Sequence, residues 1–394
     1  MSELHPDIAK YIKLMQSTRY WYFREDSSSH PALDLFRRTY YHVRPTLFLV
    51  TFLVNGYGIY NSDGFGVLDG NLLFVPLSVA SLVTTSTIYF NRHQHRKLTM
   101  LLNQRFLDNN EKWMVEIKTK FATSAWKFLK IVILYQTFCA TFYVVVPFMA
   151  DTILHHVFGY LKAPFFFPLT FSVFLPSEVT WDAQYYAVML LDAWAGFEII
   201  ANLQGFIICY TVMTVFSLTE IIIFKEKIKS LNLERSKEDV NEELRMVVDW
   251  HNDIIGLNKE LKAFLGPTCA FQSLFTSLVL TLTIFTTTVT TDITVVLAYA
   301  TGAFFYFSAG LLYCSLGQLL ENQSSEVFEM LCNLPWYRSS PDIRKSLNMM
   351  IRQAHNPLII DYHGHSKMNL ENFMEILRSA YSYFTLLQSM TSSE

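Results

Sequence analysis

Seven stretches of this sequence approach the length that an apolar α-helix needs to cross a membrane, and they restrict the possible folds more than any other feature. A helix rises about 1.5 Å per residue, so about 20 apolar residues span the hydrocarbon core. Hydrophobic residues make up 51% of the sequence and charged residues 16%, whereas about a quarter of a soluble protein is charged. The sequence therefore predicts an all-α membrane protein with seven transmembrane helices. The stretches are residues 45–60, 72–90, 126–149, 187–216, 269–289, 294–319 and 369–390.

Positive charges alternate between the connectors of these seven stretches. Nearly every Lys and Arg outside them lies before the first, between the second and third, between the fourth and fifth, or between the sixth and seventh. The other connectors hold Lys162 alone. Cytosolic loops carry the excess of Lys and Arg, so we predict a cytosolic N-terminus and an extracellular C-terminus. The sequon Asn322-Gln323-Ser324 then lies in the cytosol and is expected to remain unglycosylated.

The same pattern divides the chain into four segments. Residues 1–44 form a cytosolic lead-in, and residues 45–319 hold six transmembrane helices with a cytosolic helical extension at about 217–266. Residues 320–368 are a second cytosolic segment, and residues 369–390 are the seventh span. Because proline disrupts the interior of a helix, Gly266-Pro267 is expected to break the extension, and the three prolines within 163–176 predict an irregular outer segment.

The last stretch, 369–390, carries one polar stripe along an otherwise apolar helix. Steps of four and three place its polar residues on one side. A surface-bound amphipathic helix and a spanning helix that turns its stripe toward water both fit this pattern. The alternation of positive charge favours the spanning helix. The stripe consists of Glu371, Glu375, Arg378, Ser382, Thr385 and Ser389.

Catalytic and nucleic-acid-binding patterns are missing from the sequence. It contains no P-loop, GxGxxG, GxSxG or HExxH motif, so we predict neither an enzyme nor a cofactor. A net charge of −3 without a basic tract argues against nucleic acid. Five cysteines without a CxxC pair predict no disulfide framework or zinc site. The pairs His93/His95 and His363/His365 are interpreted as solvated histidines rather than metal ligands.

Polar and aromatic residues inside the predicted spans are the candidates for a ligand site. Asp192 and Glu198 lie in the fourth span, where an unpaired charge is costly, so each either has a function or meets a polar partner. Aromatic side chains in the outer halves of the spans could line an apolar cavity for a small uncharged molecule, although ordinary helix packing explains them as well. These candidates are Phe74, Phe138, Phe142, Tyr143, Trp194, Phe197 and Tyr299.

The last seventy residues resemble a known family. The Pro335-Trp336-Tyr337 element and the ending Tyr-Ser-Tyr-Phe-Thr-Leu-Leu at 381–387 resemble the C-terminal region of insect odorant receptors. The seven spans, the cytosolic N-terminus and the chain length extend this resemblance over the whole sequence. The family's co-receptor has a large insertion in its second intracellular connector. The short fourth–fifth connector here therefore indicates an odour-tuning subunit.

This resemblance implies an odorant-gated, non-selective cation channel in which four subunits, including a co-receptor, surround one pore. It implies that small volatile molecules bind in the outer half of each tuning subunit, and that the cytosolic segments form an anchor between subunits. The last span would line the pore in the plasma membrane of an olfactory neuron dendrite. The family's hydrophobic constriction would fall at Leu386, whereas the polar stripe favours Thr385, about 100° away on the helix.

Three other classes remain as alternatives. A seven-span receptor signalling through G proteins conflicts with the predicted topology and with the absence of Asp-Arg-Tyr after the third span and of Asn-Pro-x-x-Tyr in the last. A gustatory-type receptor channel shares the predicted topology and is not distinguished by this sequence. A transporter is disfavoured because no internal repeat or pair of interrupted helices is present.

Overall fold

In a computed structural model, the chain is built almost entirely from α-helices. The structure describes residues 4–18, 20, 21, 23, 31–60, 71–108, 111–157, 182–233, 237–289 and 293–391. The pairing of Tyr362 with His365 is the single β-bridge within these ranges. The all-α prediction is confirmed. The helices are α1 (Pro6–Ser17), α2 (Pro31–Tyr60), α3 (Asn71–Phe90), α4 (Arg92–Leu107), α5 (Lys112–His156), α6 (Ala183–Ser230), α7 (Lys237–Val289), α8 (Ile293–Asn333), α9 (Pro341–Ala354) and α10 (Leu370–Thr391), with a short 3-10 turn at Trp336–Arg338.

Each of the seven predicted spans corresponds to one helix, α2, α3, α5, α6, α7, α8 or α10, and Asn369, the first residue of the seventh span, directly precedes α10. Among the described residues, α6, α7 and α8 contain stretches long and apolar enough to cross a membrane by length and composition alone, and α2 contains a shorter apolar stretch at His42–Val54. Helix α2 packs on α3, and α5 packs on α6. Helix α7 packs on α3, α8 and α10. Residues 163–176 lie outside the described ranges.

Helices α6, α7 and α8 continue well beyond their apolar runs. Helix α9 packs together with the C-terminal half of α6, the N-terminal half of α7 and the C-terminal end of α8. Buried leucines such as Leu261, Leu331 and Leu347 lie between them. We call this helical unit the anchor bundle. Ion pairs also link the helices of this bundle. Lys227 Nζ on α6 lies 3.5 Å from Glu243 Oε1 on α7, and Lys225 on α6 contacts Glu326 on α8.

The expected break at Gly266-Pro267 is wrong, because α7 runs from Lys237 to Val289 with Pro267 inside it. Proline removes one backbone donor, but neighbouring contacts hold the helix here. A Cβ at Gly266 would collide with the carbonyl oxygen of Asp361, so the chain before α10 packs directly on this turn of α7. The glycine allows a close approach between two backbones.

The N-terminal segment is packed into the protein more deeply than its composition suggested. Tyr20 and Trp21 are each 1% exposed. The Tyr11 hydroxyl lies 2.7 Å from Nε2 of His95 and donates to the Cys209 thiol at 3.3 Å. These contacts fix α1 against α4 and α6.

His95 is therefore not a solvated histidine, and that interpretation is wrong for this residue. It is 1% exposed and stacks on Phe264 with the ring centroids 5.0 Å apart. Burial lowers the pKa of His95 to about 3, so the ring is neutral. The helical spacing of the buried residues of α4 was the available signal. They are His95, Leu98, Thr99, Leu102, Asn103 and Phe106.

Candidate ligand pocket and pore helix

The start of α10 is fixed by polar contacts to α8. Asn369 caps the helix, since its Oδ1 accepts a hydrogen bond from the backbone N–H of Asn372 at 3.0 Å. The backbone N–H of Leu370 donates to Oε1 of Gln318 at 3.3 Å. The first turn of α10 thus has partners for two of its otherwise unpaired donors.

The hairpin before α10, residues 360–368, sits directly on α7 and α8. Asp361 is 2% exposed, pairs with Lys262, and its Oδ2 accepts from the N–H of Gly364 at 2.6 Å. A Cβ at Gly317 would collide with the carbonyl oxygen of Met368. The two glycines, Gly266 and Gly317, therefore let α7 and α8 hold the hairpin from both sides.

One face of α10 is apolar and packs on other helices of the chain. Phe373, Ile376 and Ala380 are buried, and α10 contacts both α7 and α8. The Phe373 ring meets Phe307 edge-on with centroids 5.3 Å apart. The Thr281 hydroxyl donates to the Ala380 carbonyl at 3.2 Å. These contacts set the rotation of α10 about its axis.

The polar stripe of α10 lies on the opposite side, away from the other described helices. All six of its members are exposed. Leu386 is 57% exposed, and Thr385 is exposed beside it. The face of α10 that the chain does not cover therefore includes both residues proposed for the constriction.

Tyr299 lies in a buried cluster between three helices. Its side chain is 0% exposed and packs with Val279 and Tyr306, with Leu77 and Phe305 beside them. The group joins α3, α7 and α8. Two phenol rings are thus packed among apolar side chains, and tyrosines in apolar surroundings are expected in a site for a small organic molecule.

Three of the other predicted ligand residues, Phe138, Trp194 and Phe197, are not brought together with Tyr299. Trp194 and Phe197 on α6 are 37% and 45% exposed, and Phe138 on α5 is 66% exposed, so these three lie on the outer surface of the described bundle. The side chains of Phe74, Phe142 and Tyr143 lie outside the described part of the structure.

Glu198 meets a partner that the sequence did not suggest. Its Oε2 lies 3.3 Å from Nε of Arg44, and these side chains are 9% and 1% exposed. Arg44 also donates from Nη1 to the Thr18 carbonyl at 3.2 Å, and its guanidinium lies over the rings of Tyr20 and Phe48. Asp192, the other acid of this helix, is half-buried.

A small pocket, with room for about one water molecule, adjoins this ion pair between α2 and α6. Trp194 is the one predicted ligand residue in its lining. Arg44 is the last residue of the predicted cytosolic lead-in, at its boundary with the first span. Helical phase was the signal for its burial, since Arg44, Phe48 and Thr51 recur at steps of four and three on one face of α2. The lining comprises Tyr40, Arg44, Leu47, Phe48, Thr51, Trp194, Ala195 and Glu198.

The sequence matches a family profile over most of its length. Residues 67–381 match the family described as 7tm odorant receptor. This chain belongs to the 7tm odorant receptor family. The match covers every predicted span except the first and the end of the last, so the resemblance carried by the C-terminal residues is confirmed.

Curated relatives of this family member are odorant receptors of flies and mosquitoes. Odorant receptor 82a of Drosophila melanogaster is 28% identical over 170 residues, which are 42% of this chain and 43% of the relative. Odorant receptor Or2 of Anopheles gambiae is 24% identical over 242 residues, covering 58% of this chain and 64% of the relative. The chain thus spans less than two thirds of these relatives in the matched regions.

The fold of this receptor-family chain matches a solved insect receptor. Olfactory receptor OR5 of Machilis hrabei in complex with eugenol aligns with a TM-score of 0.77 at 15% identity, covering 97% of each chain. The same receptor described without that ligand aligns with a TM-score of 0.71. The helical fold of this chain is therefore that of an insect olfactory receptor.

Proposed function

We propose that this protein is an odour-tuning receptor subunit that forms, with a co-receptor, an odorant-gated non-selective cation channel. The observation that carries the proposal is α10, a helix capped and held at one end whose polar stripe faces away from its own subunit. A membrane helix with such a stripe needs water or polar partners along it. Four such helices around an axis provide both.

The pore residues follow from this arrangement. Glu371, Glu375 and Arg378 face the cytosolic part of the pore, and Ser382 and Ser389 face its outer part. Leu386 or Thr385 forms the narrowest ring. A hydrophobic constriction closes a pore by excluding water, so Leu386 is the stronger candidate on chemical grounds.

Odorant binding is assigned to the outer half of the bundle. The full candidate set remains the seven aromatic residues of the sequence analysis, and Tyr299 has the strongest support because its ring is buried between three helices. A bound molecule opens the channel only to the extent that it prefers the open arrangement of these helices. Small volatile, uncharged organic molecules are the ligand class.

The proposed location is the plasma membrane of an olfactory neuron dendrite, with the N-terminus in the cytosol. The alternation of Lys and Arg supports this orientation. In it, the anchor bundle lies in the cytosol, where it contacts the co-receptor and the other subunits. Membrane lipid surrounds the exposed apolar faces of the spans.

Voltage clamp of cells that express this chain with and without a co-receptor tests the proposal. We expect odour-evoked cation current that requires the co-receptor and persists when G-protein signalling is blocked. Current that disappears under the block would instead indicate a G-protein-coupled receptor. Because the odorant is unknown, a panel of esters, alcohols, ketones and phenols serves as the probe, with current reversal potential as the measure of ion selectivity.

A further inference from the structure

Four exposed lysines on α1 and α5 form one basic surface beside Trp126. Lys10 and Lys13 lie on the exposed side of α1, and Lys127 and Lys130 lie on the exposed side of α5. The Lys10 Nζ is 4.3 Å from the centroid of the Trp126 ring. Trp126 directly precedes Lys127 and lies one helical turn before Lys130. The contact therefore brings the lysines of the two helices together, and we call these four residues the α1–α5 basic surface.

Helix α1 presents its two lysines from a defined position. The Trp126 Nε1–H donates to Asp7 Oδ1 at 2.8 Å, and the backbone N–H of His5 donates to Asn103 Oδ1 on α4 at 2.8 Å. The opposite side of α1 is buried against the bundle. Lys10 and Lys13 thus point outward from a helix that is packed along its length. The buried residues are Ile8, Tyr11, Ile12 and Met15.

The exposed face of α5 changes from basic to apolar directly after Lys130. Ile131, Leu134 and Phe138 are 67%, 73% and 66% exposed. They follow Lys127 at steps of four, seven and eleven, so they lie on the same face of the helix. Large exposed apolar side chains on a membrane helix face the lipid tails, and lysines at the helix end extend to the headgroups. The change therefore marks the edge of the hydrocarbon layer, with the lysines at headgroup depth.

The depth of α1 agrees with this assignment. The fourth predicted span, residues 187–216, is about 45 Å long as a helix, which is about the thickness of a bilayer with its headgroups. Tyr11 on α1 contacts Cys209 of this span, which lies about 10 Å from residue 216, the predicted cytosolic end. Helix α1 therefore lies alongside the cytosolic headgroup region rather than in the open cytosol.

The positive charge of this surface is not neutralised by the protein. Within the described part of the chain, none of the four lysines forms an ion pair with a carboxylate. Asp7 on α1 accepts from Trp126 and its Oδ2 lies 3.7 Å from Nδ1 of His5. Glu116, on the same side of α5, is eleven residues or about 16 Å before Lys127. Clusters of four to eight basic residues next to the cytosolic end of a membrane helix are typical of sites for anionic lipids.

We propose that the α1–α5 basic surface binds the headgroup of a polyphosphorylated inositol phospholipid in the cytosolic leaflet. A lysine ammonium binds phosphate as a point charge, and a headgroup with several phosphates can contact lysines of both helices at once. The bound lipid would hold α1 on α5. The proposal rests on the cytosolic N-terminus proposed above, but it does not depend on odorant gating.

Lipid binding to the purified full-length protein in nanodiscs tests the site. Phosphatidylcholine discs carry either phosphatidylinositol bisphosphate or phosphatidylserine at equal total headgroup charge, and native mass spectrometry counts the lipids retained on the protein. We expect stronger retention of the inositol lipid. The double variants Lys10→Gln/Lys13→Gln and Lys127→Gln/Lys130→Gln should each weaken it on the order of tenfold or more.

Lys112→Gln/Lys345→Gln is the matched control, since it also removes two exposed positive charges. Lys112 lies about 22 Å before Lys127 on α5, and Lys345 lies on α9 of the anchor bundle. This variant should retain the inositol lipid as the native protein does. Unfolding temperatures confirm that the variants fold, and if the α1 pair does not fold, the α5 pair decides the test.

Three outcomes would overturn the proposal. They are an equal loss in the control variant, equal retention of the two lipids, and native retention in the folded test variants. Because both leaflets of the disc carry the lipid, the result does not depend on the orientation of the chain. No current is measured, so failure here would leave the channel proposal unaffected.

Discussion

The guanidinium of Arg44 and the carboxylate of Glu198 form a buried ion pair between α2 and α6, with Nε and Oε2 separated by 3.3 Å. Through the same guanidinium, α2 also holds the Thr18 carbonyl at the end of α1. One side chain thus links the N-terminal segment to two helices of the membrane bundle. Because both groups are nearly free of solvent, removing either one leaves a charge without its partner.

Glu198→Ala is expected to destabilise the protein by about 3–5 kcal/mol, because the Arg44 charge remains buried. The double variant Arg44→Met/Glu198→Met should lose less than the sum of the two single variants. Thermal unfolding in detergent measures both effects. Lys97→Met is the control, since its ion pair with Glu260 is exposed and should contribute less than about 1 kcal/mol. An equal loss of stability from breaking either ion pair would contradict a special role for the buried pair of Arg44 and Glu198.

Gly317→Ala should displace the hairpin, residues 360–368, that precedes α10. A Cβ there would collide with the backbone of Met368, so the hairpin must shift and carry α10 with it. We expect strongly reduced odour-evoked current and a lower unfolding temperature. Gly256→Ala is the matched control on α7, because its Cβ would meet nothing within 4 Å. That substitution should be neutral or stabilise by about 0.5–1 kcal/mol.

Leu386→Ser should raise the basal current or alter ion selectivity, because it removes an apolar ring from the proposed constriction. Thr385→Val tests the neighbouring position, and a larger effect there would place the constriction at residue 385. Single-channel recording with the co-receptor measures both variants. Met374, which is 50% exposed near the cytosolic end of α10, provides a control as Met374→Leu. Unaltered current in both test variants would move the constriction elsewhere.

Tyr299→Phe should reduce sensitivity to hydroxyl- or carbonyl-bearing odorants by on the order of tenfold, because it removes a buried hydroxyl without changing the ring. Phe138→Leu should have a smaller effect, since Phe138 is 66% exposed at the bundle surface. Dose–response curves of odour-evoked current compare the two. A larger shift at Phe138 would favour a site at the α5 surface.

Glu220→Gln should change how stability depends on pH. Burial raises the pKa of Glu220 to about 7, although nearby Lys118 opposes this shift. The folded state then holds this proton up to about pH 7, whereas the unfolded chain releases it near pH 4.5. Native stability therefore falls as pH rises through this window. The variant should raise the unfolding temperature at pH 8 and change it little at pH 4, and equal shifts at both pH values would contradict the raised pKa.

The helices could be predicted because each is encoded locally. A run such as 72–90 contains no charged residue, and the α10 stripe repeats at helical spacing over its whole length. The last residues also carried a family pattern, so both the fold and the exposed face of α10 followed from the sequence. Neither inference required knowledge of which helices are neighbours.

The contacts could not be predicted, because they depend on which helices lie together. His95 stands in the polar sequence His93-Gln94-His95-Arg96, and the packing of α1, α6 and α7 around it buries it. In the sequence, Arg44 is likewise one of many basic residues before the first span. Its pairing with Glu198 is visible only in the structure. Gly317 gave no signal at all, since its role depends on the backbone of a segment some fifty residues later.

Because the start of α10 is held by the hairpin, a small tilt there produces a larger movement at the other end of the helix. Its inner end is fixed by Asn369, Gln318 and Gly317, while its 22 residues extend about 33 Å from that fulcrum. A tilt of about 5° at the base would displace the far end by about 3 Å, which is roughly the width of a water molecule. A small displacement of the hairpin would therefore give a larger displacement at residues 385 and 386.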